Sequence, residues 1–355
     1  MQHLHLGAGG LGLGLVVCTT AAIPEIDVTL VQRAVGGPQC KLALLKSRQK
    51  YYRQVFPGSD LKEISVPRVL DSSDLDAIRA VVMHPDDILL TTALREGALE
   101  TQTDLIGRLL SERSSLDLSG KQIYIVPCEN TVGQLYKNLE GCDFGPNVHF
   151  LRCIVDRTCK YPIINGELVV HTEEYGRWTI EKKPPFTDPL IQALSPYGVE
   201  FVEDLQPHLK KKQWLVNGPH LALAAMAWSY PARTDRLNEF ASSEAGQHLL
   251  LGVLAESSDA YVLTEPTADP SGVFQFSQSI NHRFSSFPDR TSRVLSRLHP
   301  DSLESFLRAT YERVVRPATA FQETLDRPPG YLYLTLRTVH RLIYDRLWVY
   351  PEIQS

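Results

Sequence analysis

The chain has 355 residues, of which 43% are hydrophobic, 22% charged and 8% aromatic. That apolar share supports a sizeable core and about two domains, and it excludes a disordered chain. Lys and Arg total 36 against 41 Asp and Glu, a net charge of -5, so nothing global attracts a nucleic acid or an anionic membrane.

His3–Leu6 reads as a short strand that runs straight into Gly7-Ala8-Gly9-Gly10-Leu11-Gly12 and then into a helix reaching about Thr20. Asp27–Gln32 is a second strand, and Leu42–Tyr52 is helix-like. Ile88–Thr92 and Gln122–Pro127 are continuous apolar runs, as expected of strands buried on both faces, with a crossover helix at Ala98–Leu110 between them. This alternation predicts an α/β Rossmann domain built on a doubly wound parallel sheet. Val148–Ile154, Ile163–Val170 and Arg177–Glu181 follow as further strands, and the prolines of Lys182–Pro189 exclude a regular helix there. Leu205–Tyr230, Glu244–Leu254, Leu303–Arg316 and Leu334–Leu347 carry helical spacing. The expected division is a dinucleotide-binding domain over 1–175 and a mainly α-helical substrate domain over 176–355.

Six cysteines, at 18, 40, 128, 142, 153 and 159, are too sparse for a disulfide scaffold and read as reduced thiols. Leu6–Val17 is apolar but holds five glycines and no basic flank, unlike a secretory leader. No run approaches the 18 or so apolar residues of a membrane span. The expectation is a cytoplasmic monomer or homodimer.

Gly7, Gly9 and Gly12 form G-x-G-x-x-G in the first strand-to-helix turn, with Gly10 beside them. The first glycine makes the tight turn, the second admits a pyrophosphate, and the third lets helix and strand pack closely. The helix N-terminus then offers free N–H groups to phosphate. A carboxylate usually ends the second strand of an NAD site, but here stand Gln32 and Arg33. Gln32 could bind the ribose of NAD, or Arg33 could pair with the 2′-phosphate of NADP; the sequence leaves NAD and NADP open.

Lys212, Asn217 and His220 lie within one short segment. On a regular helix Asn217 and His220 share a face, while Lys212 lies about 140° from Asn217 and about 80° from His220. Pro219 either kinks that helix or restarts it, and in the second case Asn217 would be a cap. Oxidation of an alcohol needs a base for the hydroxyl proton and donors for the developing alkoxide, which a lysine, an asparagine and a histidine can provide. Burial and the like charges of Lys210 and Lys211 would lower the pKa of such a lysine. Neither His3 nor His5 reads as a metal ligand, since no Cys/His cluster has zinc spacing.

These residues together resemble the long-chain mannitol dehydrogenase family, closest to its mannitol-1-phosphate 5-dehydrogenase branch. The resemblance rests on Gly7-Ala8-Gly9, Tyr51-Tyr52, Thr91-Thr92-Ala93, Glu129-Asn130-Thr131, Val155-Asp156-Arg157, Glu174-Tyr175 with Trp178, Lys212/Asn217/His220, and Arg283-Phe284 with Asp289 and Arg293. It implies metal-independent hydride transfer between NAD(P) and a polyol or polyol phosphate. Lys212 would then be the general acid/base, with Asn130 and Asn217 on the oxyanion, Asp156 orienting the network and His220 on substrate hydroxyls. Thr92 would join the cofactor site, and Arg283 and Arg293 would be candidates for substrate phosphate. Gln32, Leu209 and Gly218-Pro219 depart from the pattern, which implies a divergent member.

Overall fold

Strands with no polar face are stable only where both sides of a sheet are covered. In the computed structural model, which describes residues 1–34, 40–56, 58, 60–94, 96–116, 120–129, 139, 144–229, 233–295 and 303–349, Gln2–Leu6, Ile88–Thr92 and Ile123–Pro127 are buried at every position. They belong to a six-stranded parallel sheet: β1 (Gln2–Leu6), β2 (Asp27–Gln32), β3 (Arg68–Asp71), β4 (Ile88–Thr92), β5 (Ile123–Pro127) and β6 (Val148–Phe150), in the order β3-β2-β1-β4-β5-β6. That is the doubly wound dinucleotide order, whose direction reverses between β1 and β4.

Alternation along each strand sends neighbours to opposite faces. Leu4, Leu6, Val31, Leu90 and Ile125 pack with Ile78 and Val82 of helix Leu75–Val82 and with Leu105 and Leu109 of helix Glu96–Ser114. Leu30, Leu89, Tyr124 and Val126 join Leu13 and Val17 on the other side. A second sheet joins Lys50–Phe56, Lys62–Ser65, Cys159–Lys160 and Glu167–Glu173, and a third joins Cys153–Asp156, Arg177–Glu181 and Val199–Val202.

Four expectations need correction. The helix expected over Leu42–Tyr52 ends at Arg48, because Gln49 turns left-handed (φ 53°) and Lys50 opens a strand. Tyr51 is therefore a strand residue, fully buried, and its hydroxyl donates to the Leu13 carbonyl at 2.5 Å. Val148–Ile154 is two strands in different sheets, β6 and Cys153–Asp156. Ile163–Val170 is a hairpin whose Asn165-Gly166 turn takes φ of 51° and 75°, the positive-φ pair of a two-residue loop.

The fourth concerns the division of the chain. The compact units are Met1–Leu205 and Gln206–Ser355, not 1–175 and 176–355. Arg177–Glu181 pairs with Cys153–Asp156 and with Val199–Val202, and it buries Trp178 and Ile180 in the same core as Leu30 and Tyr124. A hydrogen-bonded sheet is not divided between its strands. The second unit is helical, as expected: helix Glu244–Thr264 packs with Gly218–Ser229, Pro270–Ser286, Arg316–Leu325 and Gly330–Val349. Among the described residues no helix is long and apolar enough to cross a membrane.

Tyr51→Phe leaves the buried Leu13 carbonyl without its donor. It is expected to lower the unfolding free energy by about 1–3 kcal/mol in urea titrations, with far-UV circular dichroism unchanged.

Candidate active site

The turn after β1 has the backbone that its glycines permit. Gly7 takes φ +103°, and a Cβ there would lie 2.7 Å from the Ala93 carbonyl. A Cβ on Gly12 would run into the His5 ring and into the Gly7 carbonyl, so only glycine lets helix and strand approach this closely. Gly9 meets just the Ala93 oxygen, at 3.4 Å, so its face is open, as the approach of a pyrophosphate requires. Gly10 lies on Cys159 and Tyr161. The helix beyond is π-helical over Gly12–Val17 before Cys18–Thr20, and Gly14 seats this wide turn against Cys159 and Thr172.

Beneath the turn lies a buried polar chain. His5 Nε2 is 3.0 Å from the Gly7 carbonyl, His5 Nδ1 is 2.6 Å from Thr91 Oγ1, and His3 Nε2 is 2.7 Å from the same hydroxyl. A carbonyl only accepts, so His5 Nε2 carries a proton and the neutral ring's Nδ1 accepts from Thr91, which in turn accepts from His3 Nε2–H. Burial holds both rings neutral, His5 lowered to about 4 and His3 lowered well below its ordinary value.

Gln32 ends β2 with its Oε1 accepting the Ala8 N–H at 2.9 Å and its Nε2 donating to the Arg33 carbonyl at 3.0 Å. Lys41, which opens helix Lys41–Arg48, donates to the Ala8 carbonyl at 2.6 Å and lies 3.9 Å from the centre of the Tyr161 ring. Arg33 is exposed. Sequence spacing gave no sign of Lys41, because its contact with Ala8 spans 33 residues.

Thr92 is fully buried at the end of β4, beside Glu129 at the exit of β5. Glu129 Oε1 accepts the Leu94 N–H at 3.1 Å; burial raises its pKa, against lowering contacts with Thr92 and Leu94. Asn130 lies outside the described residues. Asp156 is buried at the end of its strand, in register with Arg177. The next residue, Arg157, donates to the carbonyls of Gly14 at 2.8 Å, Tyr175 at 3.1 Å and Glu174 at 3.4 Å, a brace between segments.

In the second unit, Gln206–Lys212, a π-helical stretch Gln213–Asn217 and Gly218–Ser229 form one unbroken helical run. Asn217 is helical rather than a cap. The Gly218 N–H bonds the Gln213 carbonyl five residues back. Such a register stacks residues five apart, so Lys212 and Asn217 share a side of the helix instead of diverging by about 140°. Lys210 donates to the Thr264 carbonyl at 3.0 Å and sits 3.8 Å from Glu265, while Lys211 lies 4.3 Å from the centre of the Phe276 ring.

His220 Nε2 is 3.0 Å from Asp289 Oδ2, and its ring stacks on Phe284 at 4.9 Å. Arg293 holds the same carboxylate through both nitrogens of its fork, Nε at 2.7 Å and the terminal nitrogen more closely. Burial would raise the Asp289 pKa, but the hydrogen bonds from Arg293 and His220 hold it far below the usual carboxylate range. Burial lowers His220, partly offset by Asp289. Arg283 is buried on helix Pro270–Ser286, and Arg293 lies on helix Thr291–Leu295, so neither belongs to a loop. Asp289 entered the sequence reading only as a matching position. Its partnership with His220 spans 69 residues, a separation that periodicity cannot reveal.

The sheet order and glycine turn of the first unit, followed in the chain by a helical unit, define a dinucleotide-type fold. No family model matches the chain. It is 27% identical to the mannitol-1-phosphate 5-dehydrogenase of Clostridium acetobutylicum over 64% of this chain and 59% of that enzyme, so this match spans about three fifths of the relative. It is 24% identical to the enzyme of the same name from an Exiguobacterium species, over 96% of this chain and 85% of the relative. Among solved structures, the mannitol 2-dehydrogenase of Pseudomonas fluorescens, in ternary complex with NAD and D-mannitol, superposes with a TM-score of 0.60 at 16% identity, over 99% of this chain and 87% of that one. These matches agree with the resemblance in the motifs: the chain is similar, at low identity, to mannitol-1-phosphate 5-dehydrogenases.

The buried neutral histidines set a pH dependence. Between the ordinary histidine value of 6.5 and the folded value of about 4, the unfolded chain binds more protons at His5, so stability falls as pH drops. The expected loss from His5 alone is on the order of 2 kcal/mol between pH 7 and pH 5, and His5→Gln flattens that slope in urea titrations at the two pH values.

Proposed function

We propose that the protein is an NAD(P)-dependent oxidoreductase that interconverts a polyol, or polyol phosphate, and the corresponding ketose. The residues of the first unit suit a dinucleotide: an open Gly9 face, a Gly7 turn no side chain could adopt, and N–H groups at the head of a helix. When bound, that cofactor supplies the hydride acceptor or donor. One observation carries the rest: the π turn that brings Lys212 and Asn217 to one side of a helix, followed by a His220 fixed by Asp289. Lys212 in its neutral form takes the hydroxyl proton in oxidation and returns it in ketone reduction. Asn217, with Asn130, donates to the oxygen on which negative charge develops. His220 Nε2–H is committed to the Asp289 carboxylate, so Nδ1 of the neutral ring is the atom proposed to accept from a substrate hydroxyl. Asp156, in the first unit, is proposed as an orienting carboxylate, the role that the resemblance implies.

The choice between polyol and polyol phosphate falls on the arginines. Arg293 holds Asp289 with two of its nitrogens, and Arg283 and Arg293 are the groups proposed to meet a substrate phosphate. Homodimer or monomer, the proposed setting is the cytoplasm.

Lys212→Ala is expected to lower kcat by about 10²- to 10⁴-fold, read as NAD(P)H absorbance at 340 nm with fructose and fructose 6-phosphate, while calorimetric dinucleotide affinity stays unchanged. Wild-type turnover that survives in the variant would remove Lys212 from the chemistry. Failure of either dinucleotide to bind the wild-type chain would overturn the whole reading.

A further inference from the structure

The rim of the nucleotide turn is furnished with donors at a place where a ribose diol needs an acceptor. Gln32 Oε1 takes the Ala8 N–H at 2.9 Å, which sets the amide so that Nε2 is its outward end, one hydrogen on the Arg33 carbonyl at 3.0 Å. Lys41 Nζ reaches the same residue from the other side, 2.6 Å from the Ala8 carbonyl, and the Tyr161 ring beneath it holds the ammonium in place. Arg33 follows Gln32 directly and is exposed. The carboxylate in register with Gln32 on the neighbouring strand, Asp71, is turned to its own loop, with Oδ1 on the Ser73 N–H at 3.0 Å.

In this fold the end of β2 meets the adenosine ribose; a carboxylate there accepts from a free 2′-hydroxyl, whereas an arginine accommodates a 2′-phosphate. Gln32 has already spent its acceptor on Ala8. Among the described residues, the Gln32 amide N–H, the Lys41 ammonium and the Arg33 guanidinium stand at this rim, all donors, two of them cationic. A phosphate monoester brings three acceptor oxygens and a negative charge, and charge-assisted bonds to it are the strong kind.

We infer that Arg33, Lys41 and Gln32 form a site for the 2′-phosphate of NADP(H), making the chain selective for the phosphorylated dinucleotide. This rests on the dinucleotide reading above and narrows it.

The test measures binding rather than turnover. Adenosine 2′,5′-bisphosphate and adenosine 5′-monophosphate are titrated calorimetrically into the full chain, and NADPH and NADH are followed by tryptophan quenching. The phosphorylated member of each pair is expected to bind at least about tenfold more tightly, the scale of one charge-assisted hydrogen bond. Arg33→Ala is expected to remove most of that preference while leaving NADH affinity within about twofold. Lys41→Ala should do the same, but because Lys41 also braces the Ala8 carbonyl, Arg33→Ala is the variant that cannot be explained by a loosened turn. Gln32→Glu keeps an acceptor for Ala8 and puts a carboxylate where the outward donor was; it should shift the preference toward NADH.

Equal or tighter binding of NADH by the wild-type chain would overturn the inference and leave the dehydrogenase reading intact. So would an Arg33→Ala variant whose preference is unchanged. Binding of neither dinucleotide would overturn both.

Discussion

The hydrogen-bonded chain from His3 through Thr91 and His5 to the Gly7 carbonyl lies under everything the first unit does. It ties β1 to β4 at the point where the strand order reverses, and it ends on the residue that starts the nucleotide turn. Because Gly12 packs on the His5 ring, the helix that follows is set by the same contact. Each hydrogen bond along this chain fixes the next, so the Gly7 carbonyl dictates the tautomer of both histidines and leaves His3 Nδ1 buried as an unused acceptor. The turn is therefore held from below by polar geometry and from above by Gln32 and Lys41 on Ala8. What is left open is the Gly9 face.

The second unit solves a different problem. Two of its helices carry a proline two residues beyond a π-helical stretch: Pro219 after Gln213–Asn217 and Pro317 after Tyr311–Val315. Proline cannot donate to the carbonyl four residues back and crowds it sterically, and a turn widened by one residue relieves both demands without breaking the helix. The two wide turns meet, because a Cβ on Gly218 would lie 2.5 Å from the Arg313 carbonyl. One consequence is chemical. The widening rotates Lys212 onto the side of Asn217, and the helix beyond it presents His220 to Asp289. A feature required by local backbone chemistry thus arranges the groups that the proposed reaction needs.

Much of this was legible in the residues. The glycine spacing, the continuously buried runs of β4 and β5 and the exact limits of β2 are local properties, visible because burial on both faces or a glycine-only φ leaves few other residue choices. The Asn165-Gly166 hairpin was also there to be read, as a turn signal between two apolar runs, but the longer run Ile163–Val170 obscured it. Tyr51 misled in the other direction: its spacing from Leu42, Leu44 and Leu45 fits a helix, and only the left-handed Gln49 separates the two elements.

By itself the sequence determined the fold class, the nucleotide turn and which side chains are available for chemistry, since each depends on residues close together in the chain. Tertiary structure decided the rest. That Lys41 reaches Ala8, that Asp289 and Arg293 fix His220, and that the first unit extends to Leu205 all depend on partners brought together from distant parts of the chain. Even Lys212 and Asn217, five residues apart, needed the packed helix to show their relation, because periodicity assumes 3.6 residues per turn and the π register does not obey it.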